Sequence, residues 1–519
     1  MEKKRLSVIL KKLEHTFLAG EGEKEISALV YDSRQISEGC LFVAIRGANF
    51  DGHSALPQAI EKKAAAVLAE QIEAPLLLAC EAAGIAVVQV QDTRYALGLA
   101  AAAWFGDPAE KLFTVGITGT KGKTTTTYLI QSVLQHAGIA CGLIGTIEVD
   151  NGREHIPAVN TTPESYLVQE YFAQMAANGC KAVVMEVSSQ ALKMHRVAGI
   201  HFDLGVFTNL SPDHIGPNEH ADFEEYKYCK SLLFSQCAVG LVNGDDPYAE
   251  EILQQSRCSA VERFGFAEGN DYRAAEVQLV QNSGALGVRF QLSGWQAGDG
   301  SVLKQVEAPF PGRFSVYNAL AALAVCKHLQ VTAGDAQAGL LRAHVKGRIE
   351  MLPVSETYTL MIDYAHNAMA LKSLLETLRE YEPGRIVTLF GCGGNRAKSR
   401  RYEMGEVSGR LSDLSIITSD NPRSEEPLEI IADIINGMQK TEGAYVEIPD
   451  RREAIAYAMH HAQPGDVIVL AGKGHEDYQE IRGVKYPMDE RVLVKEILEA
   501  DGDAAALKRM QAKYPALFA

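Results

Sequence analysis

Val115-Gly116-Ile117-Thr118-Gly119-Thr120-Lys121-Gly122-Lys123-Thr124-Thr125 is the stretch that organises the reading of the chain. The apolar run from Leu112 to Ile117 has the length and branching of a buried strand. It enters a glycine-rich turn ending in Gly-Lys-Thr, and a helical pattern follows from Thr125 to about His136. Strand, glycine turn and helix N-terminus together make a phosphate cradle. Glycines let backbone N–H groups approach the oxygens, and the helix end adds partial positive charge. Lys123 can reach the outer phosphates, and the Thr124 hydroxyl can ligate Mg2+. The spacing departs from the general pattern, because Gly116 lies one residue too far from Gly122. The loop implies a bound nucleoside triphosphate; what the chain does with it must be read elsewhere.

At 519 residues the chain is too long for one ordinary core and suggests about three domains. A hydrophobic content of 47% suits folded domains. The net charge of −16 argues against a nucleic-acid partner, which calls for a basic face. Nine cysteines stand singly with no CxxC pair, the pattern of free thiols in a reducing cytoplasm. Lys3, Lys4 and Arg5 precede an apolar run, Leu6 to Leu10, that is too short for a signal-peptide core. No apolar stretch is long enough for a transmembrane helix, so no membrane insertion is expected.

The fold class is α/β. Residues 1–107 read as a small α/β unit with strands at Cys40 to Ile45, Ala64 to Ala69 and Ile85 to Val90. An Ala-rich helix, Ala96 to Phe105, ends this unit at the breaker Gly106-Asp107-Pro108. Residues 108–346 carry the phosphate loop and alternate strands (Ala182 to Val187, Leu204 to Asn209, Gly240 to Asn243) with helical stretches, which implies a mainly parallel sheet. A helix is expected around Val316 to Leu329. Residues 347–519 begin strand, helix, strand at Tyr358 to Asp363, Met369 to Tyr381 and Arg385 to Phe390. Leu371, Leu374, Leu375 and Leu378 share one face of that helix. Strands Leu414 to Thr418 and Asp466 to Leu470 end in polar turns, where open α/β sheets bind ligands.

Four clusters at strand ends could carry chemistry. Glu186 and His214 could join Thr124 around Mg2+, although Mg2+ prefers oxygen donors and histidine is an unusual member. Asp363-Tyr364-Ala365-His366 follows the first strand of the third unit. The last cluster spreads over three turns: Gly391 to Arg396, Asp420-Asn421-Pro422-Arg423 and Gly472-Lys473-Gly474-His475-Glu476. Two arginines and a glutamate on one sheet edge would suit a zwitterionic amino acid, since arginine grips carboxylates bidentately and glutamate can hold an ammonium.

In this order the motifs resemble the Mur ligase family, the ATP-dependent amino-acid ligases of peptidoglycan precursor synthesis. The carriers run the length of the chain: Tyr31-Asp32-Ser33-Arg34, Gly119 to Thr124, Asn160-Thr161-Thr162-Pro163, Glu186-Val187-Ser188-Ser189, Asp213-His214, Lys230-Ser231, Asn318-Ala319-Leu320, Gly347-Arg348, Asp363 to His366, Asp420 to Arg423 and Gly472 to Glu476. The resemblance implies a three-domain architecture: an N-terminal UDP-binding domain, a central P-loop ATPase domain and a C-terminal Rossmann-like domain. It places Gly119, Thr120, Lys121, Gly122, Lys123, Thr124, Thr125, Asn318, Arg348 and His366 at ATP. It places Ser33, Thr161, Thr162, Ser188, Gln190 and Arg196 at a UDP-N-acetylmuramoyl-dipeptide. Thr124, Glu186 and His214 fall at Mg2+ ligands, and Lys230 falls where the family carries a CO2-derived carbamate, a further metal-directed anion. The catalytic set is then Lys123, Lys230, Glu186 and His214. Arg396, Asp420, Asn421, Arg423, Gly472 and Glu476 lie at the amino-acid contacts. In the family, Asp-Asn-Pro-Arg marks enzymes that add meso-diaminopimelate. Arg423 can pair with its distal carboxylate, which L-lysine lacks.

The implied protein is a cytoplasmic monomer with ATP and Mg2+ as requirements. The rival readings are the same ligation with L-lysine or another diamino acid, and a nucleotide-binding scaffold or switch without ligase activity. Ile215 to His220 and Asn367-Ala368-Met369 depart from the usual family sequence after Asp-His and Asp-Tyr-Ala-His, and residues 46–52 vary around the expected UDP-side loop.

Overall fold

The computed structural model describes residues 3–47, 50–216, 219–282 and 285–518. Of the segments noted above as unusual, Ala48, Asn49, Pro217 and Asn218 lie outside the described residues. By compactness the chain divides into two units. The first is Met1–Arg273 with Gly294–Ser301 and Leu320–Ala336; the second is Ala274–Ser293, Val302–Ala319 and Gln337–Ala519.

In the first unit, a small sheet runs in the order Thr16–Ala19, Ala86–Gln89, Ala66–Ala69, Leu41–Val43, Leu29–Val30. Its first pair is antiparallel and the rest are parallel. The Ala-rich helix spans Thr93–Phe105 and starts earlier than its apolar run, because the Asp92 carboxylate accepts from the N–H groups of Arg94 and Tyr95. Gly106, at φ +78°, ends it.

The larger sheet of this unit places the phosphate-loop strand Phe113–Thr118 between Ala182–Glu186 and Phe202–Phe207, both parallel to it. Glu186 lies beside Ile117 and Phe207 beside Thr118, so three strands deliver their following residues to one edge. Cys237–Asn243 and Ala260–Gly265 extend the parallel array on one side. Cys141–Ile144 extends it on the other, where Glu148–Asp150 and His155–Pro157 close it antiparallel.

The second unit contains the antiparallel pair Ala285–Ser293 and Gln305–Ala308 and a six-stranded sheet. That sheet runs Glu350–Leu352, Thr359–Asp363, Val467–Ala471, Ile386–Phe390, Leu414–Ile417, Tyr445–Glu447, antiparallel only at its first pair. Asp363, Ala471, Phe390 and Ile417 end their strands on a common edge. The helix Ala368–Arg379 buries Leu371, Leu374, Leu375 and Leu378, as its period requires, and Asn367 caps it by accepting from the Ala370 N–H at 2.8 Å.

The turn after residue 346 is pinned to the sheet edge. Gly347 has φ +68°, and a Cβ there would lie 2.0 Å from the carbonyl carbon of Gly474, so only glycine fits. Beside it, Arg491 donates to both oxygens of buried Glu350 (Nε to Oε1 3.0 Å) and to the Gly474 carbonyl at 3.1 Å, while Glu350 accepts from the Gly347 N–H. The His344 ring (Nε2 to Oε1 3.6 Å), then Arg491 and the Gly347 N–H, hold the Glu350 carboxyl well below its ordinary range despite burial. Removing one partner of such a pair costs about 3–5 kcal/mol.

Candidate active site

The phosphate loop of the first unit is built as the sequence predicts. Phe113–Thr118 leads into Gly119-Thr120-Lys121-Gly122, and Lys123–His136 is the helix. Gly119 adopts φ +146°, and a Cβ there would meet the Thr208 hydroxyl at 1.9 Å, so the loop can pass the neighbouring strand end only as glycine. Asn209 fixes the loop by accepting from the Lys121 N–H at 3.0 Å and donating to its carbonyl at 2.9 Å. The Lys123 ammonium turns into the loop, donating to the carbonyls of Gly119 (2.8 Å) and Thr120 (3.1 Å). Thr125 follows on the first turn of the helix.

Lys230 comes from the helix Phe223–Ser231 and is 1% exposed. Its ammonium donates to the Gly119 carbonyl at 2.8 Å and sits 4.5 Å from the centre of the Tyr226 ring. Two lysines thus converge on one carbonyl oxygen. Burial first, and the neighbouring Lys123 charge second, hold the Lys230 amine well below its usual range. Tyr226 in turn meets the Thr120 hydroxyl at 3.1 Å.

Glu186, buried at its strand end, accepts from the Thr124 hydroxyl at 3.0 Å. It also accepts from the Thr146 N–H at 2.8 Å and the Thr146 hydroxyl at 3.1 Å. Thr161 touches the Thr146 hydroxyl at 3.1 Å. Thr162 donates to the Glu186 carbonyl at 2.8 Å, and its own carbonyl accepts from Arg196 at 3.1 Å. Ser188 lies 3.5 Å from the Thr162 hydroxyl and caps the short helix Ser189–Lys193, which carries Gln190. Ser33 lies in a turn of the small sheet's unit, where Asp32 accepts from the Arg34 N–H.

His214 departs from the expected grouping. It occupies a turn at φ +53°, is exposed, and its Nδ1 pairs with Glu219 Oε1 at 3.1 Å. Among the described residues, no three His, Cys, Asp or Glu side chains converge as a metal site. Buried His220 instead reaches inward, its Nε2 2.9 Å from the Ser189 hydroxyl.

The second unit brings its turns together in a cleft of about 580 Å3, counted to its open mouth. Arg396, Arg400, Asp420, Asn421, Arg423, Gly472, Glu476, Tyr364 and His366 line it. Arg423 is held at φ +53°, a region that bulky residues rarely adopt. The hairpin Tyr478–Ile481/Val484–Pro487 holds it there: the Arg423 N–H donates to the Glu480 carbonyl at 3.0 Å, and its Nε to the Glu480 carboxylate at 3.1 Å. Nη1 donates to the Gly394 carbonyl at 2.7 Å. Glu476 accepts from Asn421 at 2.8 Å. Tyr364 packs against three groups: the Arg348 guanidinium (4.7 Å from the ring centre) and the His366 and His475 rings (4.5 and 4.7 Å). Asn318 is buried on the helix Arg313–His328.

Sequence reasoning missed Thr146, Tyr226, Arg400 and Glu480, and it named Asn209, His220 and Lys473 within their segments without giving them a role. None carries a local signal, since each acts through a partner brought by another strand or helix.

His475 gives a pH prediction. Burial, then the charges of Arg348, Lys346 and Arg491, lower its ring to about 4 from 6.5. The unfolded chain therefore takes up a proton that the folded one refuses, and stability falls as pH drops from about 6.5 toward 4. His475→Asn is expected to flatten the slope of Tm against pH in that window; an unchanged slope contradicts this source.

A phosphate loop at the edge of a parallel sheet, followed by a sheet edge bearing an acid- and arginine-lined cleft, defines an ATP-dependent ligase type of chain. Residues 25–105 match the catalytic domain of the Mur ligase family, 117–326 the Mur ligase middle domain, and 347–474 the Mur ligase glutamate ligase domain. A UDP-N-acetylmuramoyl-L-alanyl-D-glutamate–2,6-diaminopimelate ligase of Caldanaerobacter subterraneus subsp. tengcongensis is 42% identical over 95% of this chain and 99% of its own. One of the same name from Clostridium perfringens is 37% identical with the same coverage. A solved structure of a ligase of that name superposes with TM-score 0.70 at 27% identity, covering 96% of this chain and all of the other. The chain belongs to the Mur ligase family.

Proposed function

We propose that this chain is an ATP-dependent ligase that joins meso-2,6-diaminopimelate to the γ-carboxylate of the D-glutamyl residue in UDP-N-acetylmuramoyl-L-alanyl-D-glutamate. It does so as a cytoplasmic monomer with domains 1–107, 108–346 and 347–519. The observation that carries the reading is the cleft of the second unit. Arg396, Arg423, Asp420 and Glu476 face it together, a match for a ligand with two carboxylates and two ammonium groups. Its relatives are named for the same addition.

In this reading Gly119 to Thr125 hold the triphosphate of ATP, with Asn318, Arg348 and His366 as further ATP contacts. Ser33, Thr161, Thr162, Ser188, Gln190 and Arg196 hold the UDP-linked substrate. A γ-carboxylate oxygen attacks the γ-phosphorus of ATP, ADP leaves, and an acyl phosphate forms. The amine of the amino acid, having lost a proton, then attacks the acyl carbon, and phosphate leaves. Lys123, already inside the loop, offsets charge on the transferring group.

The donor set suits Mg2+: the Thr124 hydroxyl and the buried Glu186 carboxylate are hard oxygen ligands at a helix N-terminus, 3.0 Å apart. Those two would hold the ion; His214, turned toward Glu219 at 3.1 Å, is not placed beside them. When bound, Mg2+ supplies charge neutralisation to the phosphates. The depressed basicity of Lys230 supplies the neutral amine that CO2 requires to form a carbamate.

Phosphate release tests the proposal. Sustained release is expected only when UDP-N-acetylmuramoyl-dipeptide, ATP, Mg2+ and diaminopimelate are all present. Turnover at an equal rate without amino acid would support a nucleotide switch instead.

A further inference from the structure

Lys473 follows Gly472 in the turn after Val467–Ala471, and its side chain has no exposure to solvent. Its ammonium lies among four oxygens: Asn421 Oδ1 at 2.9 Å, Glu476 Oε2 at 3.1 Å, Asp420 Oδ1 at 3.6 Å and the Tyr478 carbonyl. The first three belong to side chains that line the cleft. Asn421 also donates to the same Glu476 Oε2, at 2.8 Å. Lys473, Asn421 and Glu476 therefore form a closed triangle in which each touches the other two.

The triangle divides the labour of the glutamate. Oε2 is committed to two protein donors, while among the described residues Oε1 has only the Tyr364 hydroxyl, at 3.5 Å. A cation enclosed with two carboxylates is stable only because the charges match. Withdrawing it leaves Asp420 and Glu476 facing each other's charge in a largely buried place. Asn421 would lose its orientation at the same time, because the Lys473 ammonium and the Glu480 N–H together fix which end of its amide is the oxygen.

We propose that Lys473 is a positioning residue for amino-acid binding: it clamps Oε2 of Glu476 and the amide of Asn421, so that Oε1 is presented to an ammonium group of the amino acid. The proposal rests on the reading of this cleft as the diaminopimelate site. Lys473 never meets the substrate; it sets the charge and direction of the groups that do.

Two variants test it. Lys473→Gln keeps donors toward the Tyr478 carbonyl and loses the charge; Lys473→Met loses both. Steady-state kinetics of ligation are measured for each substrate in turn, for both variants, Glu476→Gln and the double variant Lys473→Met/Glu476→Gln. In folded variants the KM for diaminopimelate is expected to rise by at least about 30-fold. The KM values for ATP and the UDP-linked substrate should stay within about threefold. The double variant should be no more than about threefold worse than Glu476→Gln alone, since Lys473 acts through that carboxylate. A diaminopimelate KM that stays unchanged in the Lys473 variants but rises in Glu476→Gln overturns the role of Lys473 alone. An unchanged KM in Glu476→Gln overturns the reading of the cleft. Equal losses for all three substrates, fully additive effects, or failure of both variants to fold would make Lys473 a structural pin and overturn the proposal.

Discussion

Replacing Lys230 by alanine is expected to lower the ligation rate on the order of 10^3-fold or more. Added short-chain carboxylates such as acetate should restore part of it. A lysine with 1% exposure whose ammonium shares the Gly119 carbonyl with a second lysine is a poor structural choice. As a stability device an apolar side chain would serve better. As a source of a neutral amine the place is well suited, because burial and the Lys123 charge both disfavour protonation. Carbamylation would exchange a reluctant cation for an anion next to the phosphate loop. Acetate can occupy the cavity left by alanine and supply the missing carboxylate oxygens. Activity within about threefold of wild type in Lys230→Ala would remove Lys230 from the mechanism.

The second large effect is expected at Arg423. Arg423→Ala should lower kcat/KM for diaminopimelate by roughly 100-fold, a value that allows for its partial exposure. The same change should speed the much slower reaction with L-lysine by removing a like charge, so selectivity collapses from both sides. The strained φ of Arg423, its two backbone bonds to the hairpin and its Glu480 partner all serve to aim one guanidinium. Lysine offers an ε-ammonium where diaminopimelate offers a carboxylate, so the same guanidinium attracts one and repels the other. Comparing phosphate release with the two amino acids, in wild type and variant, measures this. Equal kcat/KM values in the wild type would contradict the assignment of Arg423 to selectivity.

The parts of this chain legible in its sequence are those whose chemistry is local. Gly119, Gly122, Lys123 and Thr124 lie within one turn, so the order of residue types specifies the loop. The leucines of Ala368–Arg379 repeat with the helix period, and the structure buries them. The polar turns after Leu414–Ile417 and Val467–Ala471 could be placed because a parallel sheet sends successive turns to the same edge. Other features depend on partners far along the chain. Thr146 meets Glu186 across 40 residues, and Lys473 meets Asn421 across 52. The hairpin that aims Arg423 has short strands, and Val484–Pro487 is exposed throughout, so it carries little apolar pattern. The Asp-His neighbourhood suggests a metal ligand at His214, but the direction of its side chain is set by its turn, at φ +53°, and by Glu219.

The proposed activity comes down to the formation of one particular peptide bond. The most direct measurement incubates the protein with UDP-N-acetylmuramoyl-L-alanyl-D-glutamate, ATP, Mg2+ and a panel of amino acids, and reads the mass of the UDP-linked product. One dominant new species is expected, heavier by a diaminopimelate residue, formed only with ATP present and in step with phosphate release. A dominant L-lysine adduct, or ATP hydrolysis with no heavier product from any amino acid, would contradict that activity.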